Sequence, residues 1–243
     1  FPALKILINS TRVNNLKSIS IIIKSYGLRN LRTYKNDQIR AWNVKYSSSY
    51  PLWRGLSEEI PILLQKGLYL EMGCGDGKTL RHLIENKKST VAIDFSNVAI
   101  NSCKKMISES SLMNIVRADV TELPFKENSF DAVIANHVLE HQLSTERERL
   151  VSETFRVLVP NGKFFLRVFT IEDMRFGKGE EIEPNTFLRS DGITYHYFTI
   201  EEVQKLCQKF VLEELTSIFK KRIYLGKKYF RSEILALLRK PSY

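Results

Sequence analysis

A glycine-rich turn between acidic residues is the part of the sequence best suited to binding chemistry. The segment Glu71-Met-Gly-Cys-Gly-Asp-Gly77 follows a short apolar run and leads into residues at helical spacing. Its three glycines lack a Cβ, so the backbone can turn sharply and a ligand can approach the main chain closely. The carboxylates of Glu71 and Asp76 would repel a pyrophosphate and attract a cationic amine or sulfonium. The turn therefore predicts a binding site for a ligand with a positive end.

The glycine spacing separates this turn from that of a dinucleotide-binding enzyme. Such enzymes carry G-x-G-x-x-G between a strand and a helix. Here the spacing is G-x-G-x-G, and Lys78 stands where the last glycine of that pattern would be. Of the three candidate functions that the sequence leaves open, a nicotinamide oxidoreductase is therefore the least favoured.

Two further acids follow predicted strands. Asp94 lies 23 residues after Glu71, close to the roughly 20-residue offset at which doubly wound folds place a ribose-binding acid. A carboxylate can accept hydrogen bonds from both ribose hydroxyls. The alternative is that Asp94 or Ser96 caps the next helix. Asp119 has the same two interpretations, as a ligand-binding acid or as part of a turn.

Five stretches in order carry a family resemblance. Glu71 to Gly77 resembles the first motif of the class I S-adenosylmethionine-dependent methyltransferases, of the kind called methyltransferase type 11. The later stretches that resemble this family are Val91-Ala-Ile-Asp94, Arg117-Ala-Asp119-Val120, Phe130 to His141, and Arg156 to Lys163. The resemblance covers residues 67 to about 170 well and the C-terminal third more loosely. It implies an enzyme that uses S-adenosyl-L-methionine.

The resemblance also implies which residues hold the cofactor. Asp94 would bind the ribose hydroxyls and Asp119 the adenine amino group, while Asn136 ends the strand at which cofactor meets substrate. The full set of expected cofactor-binding residues is Glu71, Gly73, Cys74, Gly75, Gly77, Asp94, Phe95, Asp119, Val120 and Asn136.

Two histidines follow the predicted fourth strand. Methyl transfer from a sulfonium depends mainly on proximity, alignment and exclusion of water, and a base is needed only if the acceptor must lose a proton early. His137 is the first candidate for a general base and Glu140 the second; the alternative is capping and packing at the start of the next helix. His137 and His141 have no Cys or third His nearby, so no metal site is expected.

The candidate substrate-binding residues lie in two segments. Trp42 and Tyr46 belong to an aromatic-rich N-terminal part, which either caps the cofactor cleft or packs as an added helical layer. Residues 171–198 are longer than an ordinary connection, and loops of this length are usually functional. Its candidates for contact with the acceptor are Arg175, Arg189, Tyr195 and His196; the alternative is a surface loop pinned by its aromatic residues.

Alternating strand and helix patterns from residue 67 onward predict an α/β protein with a Rossmann-like class I methyltransferase fold. We expect a seven-stranded mixed sheet with an antiparallel C-terminal hairpin, whose strands would be Val211–Phe219 and Ser232–Leu238 joined by a basic turn. Residues 1–60 would form an N-terminal helical cap, with helical spacing in Leu16–Ile23 and from Tyr34 to Tyr46. Residues 61–243 would form the S-adenosylmethionine-binding domain, with a substrate-side insertion at 171–198.

Composition restricts the partners. The chain has 243 residues and a net charge of +10, with ten Lys/Arg against three acids in residues 1–60 and eight against one in 216–243. Basic ends suit a nucleic acid, although Lys and Arg also simply solvate peripheral helices. No apolar run is long enough to span a bilayer, and three scattered cysteines favour a reducing, cytoplasmic environment.

The acceptor is the open question. A small molecule is slightly favoured because no dedicated RNA module is visible; RNA, including tRNA, is the alternative, and a non-catalytic nucleotide- or RNA-binding module on the same fold is another. The Asp-Pro-Pro-Tyr type of signature is absent, which argues against an exocyclic base nitrogen as acceptor. The oligomeric state stays open.

Overall fold

A computed structural model describes residues 31–47, 66–107, 112–224 and 227–242. The predicted helical segment at Leu16–Ile23 lies outside the described ranges. The predicted helix from Tyr34 to Tyr46 is present as α1, Leu31–Tyr46.

The central layer is a seven-stranded mixed sheet in the order β3-β2-β1-β4-β5-β10-β9. Strands β1 to β5 are parallel, and β10 runs antiparallel to both β5 and β9. The predicted fold is confirmed. The strand bounds are β1 Leu68–Met72, β2 Ser89–Asp94, β3 Met113–Arg117, β4 Phe130–Asn136, β5 Leu158–Phe169, β9 Val211–Tyr224 and β10 Lys227–Arg239.

Helices cover both faces of this sheet, as the near-continuous apolar strands require. Alternation along β1 sends Leu70 and Met72 into one core cluster and Tyr69 into the other. The helix bounds are α2 Lys78–Glu85, α3 Asn97–Met106, α4 Ser144–Val157 and α5 Ile200–Leu206, with a 3₁₀ turn at Leu139–His141. Among the described residues, no helix is both long and apolar enough to cross a membrane.

The segment 171–198 contains a small antiparallel sheet. Its three strands are β6 Glu180–Glu183, β7 Thr186–Leu188 and β8 Thr194–His196. Helix α1 packs against this sheet, because Trp42 shares an apolar cluster with Phe187, Ile193 and Tyr195. The insertion is therefore a second layer built on its own strands.

The C-terminal hairpin is longer than predicted. The residues between Phe219 and Ser232 were expected to form a basic turn, but β9 and β10 stay paired from Tyr224 and Lys227 down to the sheet. Strand β10 pairs with β5 only from Glu233 onward, opposite Phe169 at the carboxyl end of β5. The outer part of the hairpin, residues 219–224 and 227–231, therefore projects beyond the same edge of the sheet at which β1 and β4 end.

Candidate active site and cofactor cleft

The glycine turn after β1 requires glycine for two physical reasons. Gly73, Gly75 and Gly77 have φ angles of 66°, 54° and 84°, a region that residues with a Cβ rarely adopt. A Cβ on Gly73 would lie 2.7 Å from Val138 Cγ2, and one on Gly75 would lie 2.9 Å from the hydroxyl of Tyr46. The turn is thus tightly covered by side chains from two other segments.

Asp94 is tied directly to this turn. Its Oδ2 accepts a hydrogen bond from the Gly75 amide at 3.0 Å, and its Oδ1 accepts one from the Ser96 amide at 2.8 Å. Burial raises the pKa of Asp94 to about 6, although these amides oppose the rise. Each carboxylate oxygen keeps a second lone pair for a hydroxyl group. The helix-capping alternative applies to Ser96, whose Oγ accepts the Ala99 amide at 3.2 Å.

Glu71 and Cys74 lie behind the turn. Glu71 is 2% exposed, its Oε2 has no hydrogen-bond partner among the described residues, and burial raises its pKa well above the usual value. Burial disfavours the charged form of Glu71 and keeps its side chain out of the cleft, so the predicted attraction of a positive ligand end by Glu71 stays a prediction. The Cys74 thiol hydrogen-bonds with Cys103 in the interior, so Cys74 contributes only its main chain to the turn.

The turn opens into a cleft between helix α1 and the carboxyl ends of the strands. Five of the predicted cofactor-binding residues line it: Gly73, Asp94, Phe95, Asp119 and Val120. Asn136 does not line it, because its Nδ2 donates to Thr79 Oγ1 at 3.2 Å. The geometry fits S-adenosylmethionine at this end, and the role of each residue remains a prediction. Among the described residues, no cluster of three or more metal-ligating side chains occurs.

Asp119 is already engaged by side chains that the sequence interpretation missed. Its Oδ1 accepts hydrogen bonds from the amide and hydroxyl of Thr121 at 2.8 and 2.7 Å, and its Oδ2 forms an ion pair with Lys35. Burial would raise the pKa of Asp119, but these contacts lower it below the usual value. An adenine amino group would have to share or replace the Lys35 contact.

Helix α1 forms one wall of the cleft. Tyr34, Gln38 and Trp42 recur at every fourth position and lie on its inner face, and Trp42 stacks on Tyr46 with ring centroids 5.2 Å apart. Asn43 Oδ1 accepts a hydrogen bond from Ser96 Oγ at 2.6 Å. The aromatic residues of this segment both pack against the protein and line the cleft, and their contact with a substrate stays a prediction.

His137 and Glu140, the two candidates for a general base, lie close together, but both are buried. His137 has a left-handed φ of 59°, and its Nδ1 lies 2.7 Å from Glu140 Oε1 while its Nε2 lies 3.6 Å from Glu233 Oε1. Burial, opposed by Glu233, lowers the pKa of His137 to about 3. Burial raises the pKa of Glu140 to about 7. His137 lines the cleft, yet both of its ring nitrogens face buried carboxyl groups.

The four insertion residues expected to face the acceptor do not line the cleft. Arg175 lies over the Phe169 ring at 4.1 Å and pairs with Asp173, and Arg189 lies over the Tyr195 ring at 4.0 Å. His196 is 2% exposed and bonds to Thr186 and Glu202. Tyr195 and His196 lie in β8, whose alternation sends them to opposite faces, whereas Arg175 and Arg189 lie outside the strands and pack on aromatic rings.

His141 and Gln38 are cleft residues that the sequence interpretation did not select. The helical spacing of Tyr34, Gln38 and Trp42 was a signal for Gln38. No sequence signal distinguished His141 from His137, because their orientation depends on β8 and β10.

Comparisons with known proteins agree with this geometry. A family model described as a methyltransferase domain matches residues 70–166. The tRNA N(3)-methylcytidine methyltransferase Mettl2 of Drosophila melanogaster is 26% identical over 238 residues, 89% of this chain and 69% of that protein. O-methyltransferase 3 of Dictyostelium discoideum is 29% identical over 172 residues, 65% of this chain and 39% of that protein.

A solved structure supports the same assignment at the level of the fold. A SAM-dependent methyltransferase from Methanosarcina mazei superposes with a TM-score of 0.63 at 22% identity, over 76% of this chain and 100% of that one. The family-model match shows that residues 70–166 form a methyltransferase domain, and the strand order and the glycine turn with Asp94 beside it agree with the class I S-adenosylmethionine-dependent fold.

Proposed function

We propose that the protein transfers a methyl group from S-adenosylmethionine to N3 of a cytidine in RNA, with tRNA as the RNA class. The observation that carries the RNA acceptor is the projecting hairpin. The name of the fly relative supplies the base and the atom. The small-molecule acceptor that the sequence slightly favoured becomes the second candidate.

The outer hairpin is both basic and aromatic. Residues 219–231 contain six Lys/Arg and no acidic residue. Lys221, Arg222 and Lys228 are exposed, and Phe219 and Phe230 are 59% and 50% exposed. Lysine and arginine neutralise phosphates and exposed rings stack on unpaired bases, so this combination suits RNA.

The position of the hairpin links it to the cleft. The loop after β5 is bonded to its base, with the Met174 amide donating to the Phe230 carbonyl at 2.9 Å and Arg231 Nε donating to Asp173 at 2.6 Å. The hairpin therefore stands beside the carboxyl ends of β4 and β5, next to His137. An RNA held along it would reach the cleft without a further module.

The cleft chemistry suits an acceptor that has no proton to lose. N3 of cytidine carries a lone pair, which forms the new bond to the methyl carbon while the electrons of the carbon–sulfur bond stay on sulfur. S-adenosylmethionine supplies the electrophilic methyl group when bound. The product base carries a positive charge and no base removes a proton. With its Nδ1 hydrogen-bonded to Glu140 and its pKa lowered to about 3, His137 is poorly suited to remove a proton, which fits this reaction.

The two named relatives point to different acceptors. The fly relative aligns with 89% of this chain, whereas the Dictyostelium O-methyltransferase aligns with 65%. An oxygen acceptor would lose a proton and would benefit from a free base. The wider alignment and the low pKa of His137, which makes it a poor base, both favour the cytidine.

The test is turnover on defined substrates. The full chain would be incubated with S-adenosylmethionine and unfractionated tRNA, and the RNA digested to nucleosides for mass spectrometry. We expect 3-methylcytidine, and its loss in Asp94→Ala. Methyl transfer to a small molecule but not to RNA would overturn the proposal, as would cofactor binding without any transfer.

A further inference from the structure

The fold fixes which nitrogen of His141 carries a proton. His141 ends the 3₁₀ turn after β4, and its Nδ1 lies 2.8 Å from the carbonyl oxygen of Thr194 in β8. A carbonyl oxygen only accepts, so Nδ1 donates and Nε2 is the lone-pair nitrogen of the neutral ring. Burial lowers the pKa of His141 to about 4. The ring therefore offers an acceptor at neutral pH.

The orientation of this ring is held from several sides. The edges of Trp42 and Tyr195 pack against it, each with a centroid distance of 4.8 Å. Thr194 is itself fixed, because its amide donates to Gln38 Oε1 at 3.1 Å and its hydroxyl lies 2.6 Å from the Tyr34 hydroxyl. A preorganised acceptor of this kind can discriminate between ligands by hydrogen bonding.

Neighbouring polar groups of the cleft are already engaged. Gln38 uses Oε1 for the Thr194 amide and donates from Nε2 to the Gly192 carbonyl at 2.9 Å. The nitrogens of His137 face Glu140 and Glu233. His141 lines the same cleft, so its Nε2 is a fixed acceptor that an incoming base edge can meet.

The two pyrimidines of RNA present opposite groups to such an acceptor. Cytosine has an exocyclic amine, a donor, beside N3, whereas uracil has a carbonyl oxygen, an acceptor, at that position and a proton on N3. We propose that His141 is a specificity-determining residue that selects cytosine by accepting a hydrogen bond from its exocyclic amine. The inference rests on the proposed function and names the group that recognises its base.

The experiment pairs a protein change with a base change. The substrate is a synthetic RNA oligonucleotide centred on the cytidine that the wild-type protein methylates in tRNA. A second oligonucleotide carries zebularine there, which lacks the exocyclic amine. The variants are His141→Phe, which keeps a ring for Trp42 and Tyr195, His141→Gln, which keeps an acceptor oxygen, and the control His82→Phe on α2. Binding of S-adenosylhomocysteine checks that each variant is folded.

The readout is the ratio of kcat/KM for cytidine over zebularine. This ratio in wild type includes the lower intrinsic nucleophilicity of zebularine, which cancels when variants are compared. We expect His141→Phe to lower the ratio by about tenfold, His141→Gln to restore part of it, and His82→Phe to leave it unchanged. An unchanged ratio in His141→Phe with normal cofactor binding overturns the inference alone. Absence of N3 methylation by the wild-type protein overturns the proposed function and, with it, this inference.

Discussion

Cofactor affinity should depend on pH through Asp94. The pKa of this buried carboxyl group is about 6, against an ordinary value near 3.9, and the difference corresponds to about 3 kcal/mol disfavouring its charged form. A ribose hydroxyl donates its proton in a hydrogen bond, so the cofactor prefers the carboxylate. Binding should therefore weaken as the pH falls through 6.

The magnitude follows from the protonated fraction. At pH 5 about ten of eleven molecules carry a protonated Asp94, so the Kd for S-adenosylhomocysteine should be about tenfold higher than at pH 8. Asp94→Asn should bind about 1–3 kcal/mol more weakly at pH 8, because a charge-assisted pair of hydrogen bonds is lost. It should also lose most of the pH dependence.

Isothermal titration calorimetry from pH 5 to pH 8 measures both quantities. Two buffers of different ionisation enthalpy also report the proton that binding releases below pH 6. The two neighbouring titratable groups need separate treatment. Tyr46 has a pKa raised well above 10 and stays protonated, whereas Glu71 requires the control Glu71→Gln. Equal affinity at pH 5 and pH 8, or a pH dependence that persists in Asp94→Asn, would refute this role of Asp94.

Three further expectations concern stability and RNA. Because the pKa of Glu140 is about 7 in the folded protein and about 4.5 unfolded, Glu140 should contribute a loss of stability on the order of 3 kcal/mol as the pH rises through that window; urea unfolding of Glu140→Gln should lack this part of the pH dependence, and a pH dependence equal to that of wild type contradicts the assignment. Gly73→Ala should be less stable than the control Gly177→Ala, since both have positive φ but only the first creates a contact, at 2.7 Å; equal thermal shifts would deny the contact. Reversing the three exposed hairpin cations, Lys221, Arg222 and Lys228, should reduce the slope of log affinity for tRNA against log salt by about 2–3. Cofactor binding should be unchanged, and a triple variant of Lys104, Lys178 and Lys209 should retain the full slope.

The sequence was sufficient for the central sheet because local signals and tertiary demands agree there. The apolar run at Leu68, the glycine turn and the acid at Asp94 each indicate the same strand-turn-helix arrangement, and the predicted parallel strands all occur. The predicted length of the hairpin was wrong. Its outer part is rich in lysine and pairs with no third strand, so its sequence resembles that of a turn. Its pairing from Phe219 to Ser232 depends only on β9 and β10.

Side-chain direction was the part that could not be predicted. Whether His137 or His141 offers a nitrogen depends on Glu233 in β10 and on the Thr194 carbonyl in β8, both distant in the chain. His196 was expected to face the acceptor, but the period of β8 turns it towards Glu202. Such contacts arise from packing between elements, which residue spacing along one segment does not encode.

Helix α1 contacts both the cofactor side and the acceptor side of the cleft, so the two sides cannot be redesigned independently. On the cofactor side, Lys35 of this helix contacts Asp119 and Asn43 contacts Ser96. On the acceptor side, Gln38 contacts the small sheet and Trp42 contacts His141. A substitution that moves helix α1 on the acceptor side also moves the residues of the same helix that contact the cofactor side. Directed evolution towards a new acceptor would therefore also change the affinity for the cofactor. Selections should measure acceptor activity and cofactor affinity together.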